Sequence, residues 1–305
     1  MEIVRFVDRV DGRIRIGTRR RGRITPVAVE DLADLWSRPA ADLPALLDEP
    51  AGPGRTYDEV ALLPPIDGDT EVWAAGVTYA RSRSAREEES SVGEVYELVY
   101  DAERPELFFK SVAWRVVTDG EPIGIRRDSE VNVPEAELAL VVNASGVTVG
   151  YTVCNDMSSR SIEGENPLYL PQAKMYAGSC ALANGIRPAW EVTDPGSLDI
   201  ELEVTRGGVS VWQASTSTSA LYRRPPELVD WLFAEQAFPA GVVMATGTGL
   251  VPEMDFTLRV GDVVRIAIDQ VGTLTNPVAS GKDAFAWLGR PIDALAAGRV
   301  DPRHR

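Results

Sequence analysis

Apolar residues recur in short alternating runs through most of this chain, and sustained helical periodicity is rare. Segments 2–7, 12–17 and 22–28 alternate apolar with polar positions and are separated by Asp11-Gly12 and an Arg-Gly turn, which predicts a small β-meander. Short helices are predicted over 30–37 and 41–48, each ending near a proline or a loop. Residues 49–54, Glu-Pro-Ala-Gly-Pro-Gly, read as a linker. From Val72 onward short strands punctuated by glycine dominate. One hairpin is predicted around Gly207-Gly208 with arms 200–204 and 209–213, and another around Gly261-Asp262 within 258–268. Helical spacing returns at 86–100, where Glu87-Glu88-Glu89 should form a solvated face, and at 226–236. It returns again at 283–297, where Pro291 must bend or break the helix. The pattern predicts a small N-terminal unit, 1–60, and a β-rich main domain, 66–305, built from a large mixed sheet assembly that closes on itself or stacks.

One stretch breaks the apolar logic. The run 138–142 reads as sheet core, yet Glu135 and Glu137 precede it, and strand alternation places both carboxylates on one face. Such a pair repels itself and resists desolvation, so a cation is the simplest partner that makes it favourable. A two-residue turn at Ala144-Ser145 would set Glu135 opposite Cys154 and Val133 opposite Asp156, bringing Asp156 diagonally beside Glu135. A one-residue change in that turn would send Asp156 to the other face. Three carboxylates with no neighbouring His or Cys ligand point to a hard divalent ion, Mg2+ or Mn2+, with water or substrate oxygens completing the shell. A solvated sheet face is the competing reading.

Composition narrows the partners. With 305 residues, 44% of them hydrophobic, the chain can bury a large core. Residues 1–10 carry no signal-like apolar region, and no stretch approaches a transmembrane helix in length, so a soluble cytoplasmic protein is expected. A net charge of −15 argues against nucleic acid and anionic membranes as partners. Cys154 and Cys180 are too few for a disulfide framework and read as small buried residues. Among 31 basic residues only Lys110, Lys174 and Lys282 are lysine, so each is a candidate for titratable ammonium chemistry that arginine cannot supply.

Six segments in order resemble the fumarylacetoacetate hydrolase superfamily. They are 75–79 (Ala-Gly-Val-Thr-Tyr), 105–110 (Pro-Glu-Leu-Phe-Phe-Lys), 134–138 (Pro-Glu-Ala-Glu-Leu), 150–160 (Gly-Tyr-Thr-Val-Cys-Asn-Asp-Met-Ser-Ser-Arg), 246–249 (Thr-Gly-Thr-Gly) and 272–278 (Gly-Thr-Leu-Thr-Asn-Pro-Val). The resemblance implies an α+β fold, a rolled mixed β-sandwich, with an Mg2+ or Mn2+ site at Glu135, Glu137 and Asp156. It also implies a homodimer or homotetramer and small 2-oxo acid substrates. Hydrolases of the family carry a water-activating histidine after the segment that matches 76–79. Here that region reads Tyr79-Ala80-Arg81-Ser82-Arg83-Ser84, and the only histidine is His304. The segment 162–176, together with Glu106, is instead similar to the branch that dehydrates 2-keto-3-deoxy sugar acids such as 2-keto-3-deoxy-D-arabinonate.

That resemblance implies loss of water through a metal-stabilised enolate, with Glu106 and Lys174 as the acid/base pair and the direction of proton flow unassigned. Glu106 has a second reading as an ion-pair partner of Arg104 or Lys110. Three carboxylates and a divalent ion leave the site near −1, so Lys174, Arg81 or Arg83 is expected to receive the anionic substrate. Thr248 is a candidate for the substrate carboxylate, and Tyr169 and Gln172 for sugar hydroxyls, with loop packing as their alternative. Glu163 and Glu165 are candidates for a loop closing over the substrate. An acylpyruvate or diketo acid C–C hydrolase and a 2-oxo acid decarboxylase remain the rival activities, and a closed, non-catalytic metal site the rival from another class.

Overall fold

The computed structural model describes residues 1–81 and 99–289. The N-terminal meander forms as the alternation predicts: β1 (Glu2–Asp8), β2 (Ile14–Arg20) and β3 (Arg23–Pro26) pair antiparallel. Arg21 and Gly22, both at positive φ, make the two-residue turn between β2 and β3. Helices α1 (Leu32–Ser37) and α2 (Leu43–Asp48) follow, α1 capped by the Asp31 carboxylate, which accepts the Asp34 N–H. After the linker, β4 (Val60–Leu63) returns to the free edge of β1 and completes a four-stranded sheet.

Next come β5 (Glu71–Gly76), β6 (Glu106–Val112), β7 (Ile123–Ile125), β8 (Asn132–Val133), β9 (Ala136–Val142), β10 (Thr148–Asp156) and β11 (Ser158–Ser159). Two short helices, α3 (Arg160–Glu165) and α4 (Leu170–Lys174), lead to β12 (Cys180–Leu182) and β13 (Arg187–Pro188). The remainder is β14 (Asp199–Arg206), β15 (Val209–Ser217), α5 (Pro225–Phe233), β16 (Val242–Ala245), β17 (Val263–Ile268) and β18 (Gly272–Ser280). Strands β12-β10-β9-β16-β5-β6, with β13 also on β10, form a seven-stranded sheet, and β15-β14-β17-β18-β7 a five-stranded one. Both are antiparallel except for the β16–β5 and β18–β7 pairs.

Strand β9, in the middle of the seven-stranded sheet, is buried on both faces, which accounts for its unbroken apolar run. Leu138, Leu140 and Val142 pack with Ile200, Leu202, Val264 and Ile266 of the five-stranded sheet. Ala139 and Val141, on the opposite face, share a core with Leu35, Trp36 and Leu43 of the N-terminal helices. Glu137 has the parity of this second face, so the acidic group lies where β9 and β10 run past the apolar packing.

Several expectations are corrected. The second predicted hairpin is misplaced: residues 258–262 form no strand, and the turn between β17 and β18 is at 269–271, where Gln270 has φ +59°. Residues 282–289 form a 3-10 helix. The rest of the predicted helix 283–297, and nearly all of 86–100 with its acidic run, lie outside the described residues.

Candidate metal centre and active site

The register that brings the carboxylates together differs from the expected one. Cys154 lies opposite Glu137, not Glu135, and the Asp156 N–H donates to the Glu135 carbonyl at 3.0 Å, while Val133 pairs with Ser158. The two-residue turn is replaced by a loop over 143–147, in which the Asn143 side-chain oxygen accepts the N–H groups of Ser145 and Val147. That loop pairs Val142 with Thr148, and a bulge between Thr148 and Gly150 adds a further one-residue shift. Two odd shifts make an even one. Every side chain therefore keeps its face, and Glu135, although one residue before β9, sits beside Asp156.

One oxygen from each of Glu135, Glu137 and Asp156 lies within 4.8 Å of the others, and all three residues are buried. The donors are all carboxylate oxygens, which fits a hard divalent ion such as Mg2+ or Mn2+ and argues against Zn2+ or copper. Burial, and then the neighbouring Asp156 and Glu135 charges, push the Glu137 carboxyl well above its ordinary range; Lys174 and the Gly247 N–H, which donates to Glu137 Oε2 at 2.7 Å, oppose this. An acid raised on folding keeps its proton longer in the native state, so the folded chain holds more protons and its stability falls as pH rises. In metal-free protein, the Tm advantage of wild type over Glu137→Gln should therefore shrink between roughly pH 4 and neutrality, and the Mg2+-induced Tm gain should grow over the same range. Calorimetry with and without Mg2+ reads both; a pH-independent difference would contradict the account.

Two lysines close the group. Lys174, the last residue of α4, donates from Nζ to Glu135 Oε2 at 2.7 Å, Ser158 Oγ at 2.5 Å and Asp156 Oδ2 at 3.2 Å, with the Phe108 ring centroid 5.6 Å away. Lys110, on β6, forms an ion pair with Asp156 Oδ1 and donates to the carbonyls of Met157 at 3.0 Å and Lys174 at 2.6 Å. The site's charge changes with this second ammonium. Three carboxylates and two lysines leave one net negative charge, which a divalent ion turns into one net positive charge, suited to a monoanion without help from Arg81 or Arg83.

The remaining expected residues divide. Glu106, at the start of β6, lies across Gly76: a Cβ built there would fall 2.0 Å from Glu106 Oε2. Lys110 is engaged by Asp156, and Arg104 stacks over the Trp231 ring at 4.4 Å. Thr248 is buried, its hydroxyl accepting the Leu250 N–H at 3.1 Å. Glu163 is buried within α3 and Glu165 exposed. Tyr169, Gln172 and Arg81 are exposed, and Gln172 is fixed through its carbonyl, which accepts Arg126 Nη1 at 3.0 Å. Arg83 lies outside the described residues. Sequence reasoning placed Ser158 and Gly247 in family segments without giving either a role, and offered Lys110 only as a candidate for ammonium chemistry or as an ion-pair partner of Glu106.

A buried all-oxygen group able to hold a cation, set in a curled, strand-rich α+β fold, defines the class. Residues 71–279 match the family described as "Fumarylacetoacetate (FAA) hydrolase C-terminal", and the chain belongs to that family. It is 49% identical over 216 residues, 71% of this chain and 74% of the relative, to the "Probable 2-keto-3-deoxyxylonate dehydratase" of Haloferax volcanii. To the "2-dehydro-3-deoxy-D-arabinonate dehydratase" of Saccharolobus solfataricus it is 42% identical over 225 residues, 72% and 75% of the two chains. A solved structure of "2-keto-3-deoxy-D-arabinonate dehydratase complexed with magnesium and 2,5-dioxopentanoate" superposes with a TM-score of 0.80 at 34% identity, covering 92% of this chain and 99% of that one.

Proposed function

We propose that this protein is a Mg2+-dependent hydro-lyase that removes water from a 2-keto-3-deoxy sugar acid of the 2-keto-3-deoxy-D-arabinonate type. The observation that carries the reading is the buried trio Glu135, Glu137 and Asp156 with Lys174 hydrogen-bonded to two of its members. The dehydratase relatives and the magnesium-containing structural neighbour support it. A divalent ion held by the trio would supply Lewis-acid polarisation of the substrate's 2-oxo group. Lys174 has three oxygens within hydrogen-bond reach of Nζ, which an ammonium's three protons satisfy, so we assign it as the proton donor. Glu106, whose carboxylate occupies the space left by the missing Cβ of Gly76, is assigned as the acceptor of the C3 proton. Loss of that proton and of the C4 hydroxyl balances as one water. Thr248 is assigned to the substrate carboxylate, and Tyr169, Gln172, Arg81 and Arg83 to substrate binding.

Hydrolysis of an acylpyruvate needs a water-activating base, and the lone histidine stands at position 304, far along the chain from Tyr79. Mg2+-loaded protein should convert 2-keto-3-deoxy pentonates or hexonates to products lighter by one water, and leave acylpyruvates and oxaloacetate unchanged. Mass spectrometry decides; carbon dioxide loss or water addition as the main outcome would refute the assignment. Gly76→Ala gives a second test. Its methyl must displace the Glu106 carboxylate, and a misplacement of about 1 Å should cost on the order of 10²-fold in kcat/KM. Mg2+ affinity by isothermal titration should stay unchanged; an active variant would remove Glu106 from the reaction. No described helix is long and apolar enough to cross a membrane. We further assign the protein to the cytoplasm, as a homodimer or homotetramer whose residues 1–60 form a distinct unit beside the catalytic domain 66–305.

A further inference from the structure

Val77 has φ +52°, a left-handed conformation that is a true outlier for a β-branched side chain. Such a residue persists only where its surroundings hold it, and those surroundings here reach two parts of the site. On its N-terminal side, the missing Cβ of Gly76 leaves room for the Glu106 carboxylate, whose Oε2 would lie 2.0 Å from a Cβ built there. On its C-terminal side, Thr78 is fully buried, and its hydroxyl donates to the Thr246 carbonyl at 2.7 Å. The Thr78 carbonyl accepts the Tyr222 N–H at 2.9 Å, so the turn is fastened from behind as well.

Thr246 precedes the residue that holds a metal ligand. Gly247, at φ +90°, directs its N–H to Glu137 Oε2, and a Cβ built on it would fall 2.0 Å from Thr78 Oγ1. Thr246 is tied on its other side to β9: its N–H and hydroxyl both donate to the Leu138 carbonyl, at 3.0 and 2.9 Å. The peptide whose oxygen the Thr78 hydroxyl binds is the same peptide whose N–H points at Glu137.

We propose that Thr78 is a positioning residue for the metal centre: by binding the oxygen of the 246–247 peptide, it aims that peptide's N–H at Glu137 and fixes the carboxylate for cation binding. The strained turn at Val77 delivers the hydroxyl. One segment thereby makes room for the proposed proton acceptor and orients a ligand. The proposal rests on Glu137 being a ligand, and the test separates the two.

Mg2+ binding to metal-free protein, followed by isothermal titration, is compared for wild type, Glu137→Gln, Thr78→Val, Thr78→Ala and Thr78→Ser. Thr78→Val keeps the shape and loses the hydroxyl; its affinity should fall about tenfold, as is usual when an outer partner of a ligand is removed. Thr78→Ala should match it, and serves if the valine variant does not fold. Thr78→Ser keeps the donor and should stay within about threefold of wild type, the scale of a modest hydrogen-bond adjustment. Loss of metal-free Tm in Thr78→Val and Thr78→Ala with unchanged Mg2+ affinity would overturn the proposal, leaving a purely structural contact. So would a serine variant as weak as the valine one. If Glu137→Gln itself bound Mg2+ like wild type, the ligand assignment would fail instead.

Discussion

Asp156→Asn should lower the metal-free Tm by on the order of 10 °C and weaken Mg2+ binding by more than about 10²-fold. Both carboxylate oxygens of this buried residue face ammonium groups, Lys110 at Oδ1 and Lys174 at Oδ2. An amide in its place turns an NH2 towards one of them, leaving a buried charge without its counter-ion. Breaking a buried pair in this way costs about 3–5 kcal/mol, and each kcal/mol moves Tm by about 2–4 °C in a large domain. If Asp156 is a direct ligand, as proposed, its loss should also exceed the roughly 10–100-fold that loss of an outer partner costs.

The comparison with Glu137→Gln makes this a test of charge rather than of packing. Glu137 is opposed by Asp156 and Glu135 and has its carboxyl pushed upward, and a glutamine oxygen can still accept the Gly247 N–H. Near neutral pH and without metal, Glu137→Gln should therefore be at least as stable as wild type, although it too loses Mg2+ affinity. Calorimetry and titration on the two variants should show metal binding falling in both while the metal-free Tm values move apart. Equal destabilisation would mean that Asp156 and Glu137 do not differ electrostatically in the way their neighbours require.

Much of this centre was legible in the sequence because its parts obey short-range rules. Period-two alternation set Glu135 and Glu137 on one face, and the rarity of lysine drew attention to Lys110 and Lys174. The position of Asp156 was reached through a wrong register, and it stayed on the right face because the loop at 143–147 and the bulge at Thr148/Gly150 each shift the pairing by one. Neither is written in hydrophobic periodicity, since a bulge depends on how the whole sheet twists. The misplaced hairpin at 258–268 has a similar origin: Gly261-Asp262 looks like a turn, but the Asp262 carboxylate binds Arg206 and the Arg259 N–H, fixing a loop before β17.

What could not be read locally were contacts between residues far apart in the chain. The Gly247 N–H meets a carboxylate 110 positions away, and the Thr78 hydroxyl a carbonyl 168 positions away. The role of Lys110 depends on the chain returning at Met157 and Lys174 to place two carbonyls around its ammonium. Such a lysine looks the same in sequence as one that packs a strand.

Lys174→Arg should lower kcat by about 10²–10⁴-fold, the range that positioned proton transfer contributes. The substitution retains a cation next to Glu135 and Asp156, so the inner group keeps its net charge and the Mg2+ affinity should change only a few-fold. What it removes is a group able to give up a proton, because a guanidinium stays protonated throughout the working range. It also replaces a compact ammonium, held to three oxygens within 3.2 Å above the Phe108 ring, by a planar fork that cannot reproduce all three contacts. Lys174→Met separates these effects. It removes charge and proton together, so it should lose turnover at least as far and also lose metal-free Tm through the unpaired carboxylates. Steady-state kinetics with the sugar acid, titration with Mg2+ and calorimetry resolve the three quantities. Near-normal turnover in Lys174→Arg would show that Lys174 supplies only charge, and the proton donor would then have to be sought among the other buried groups facing Asp156.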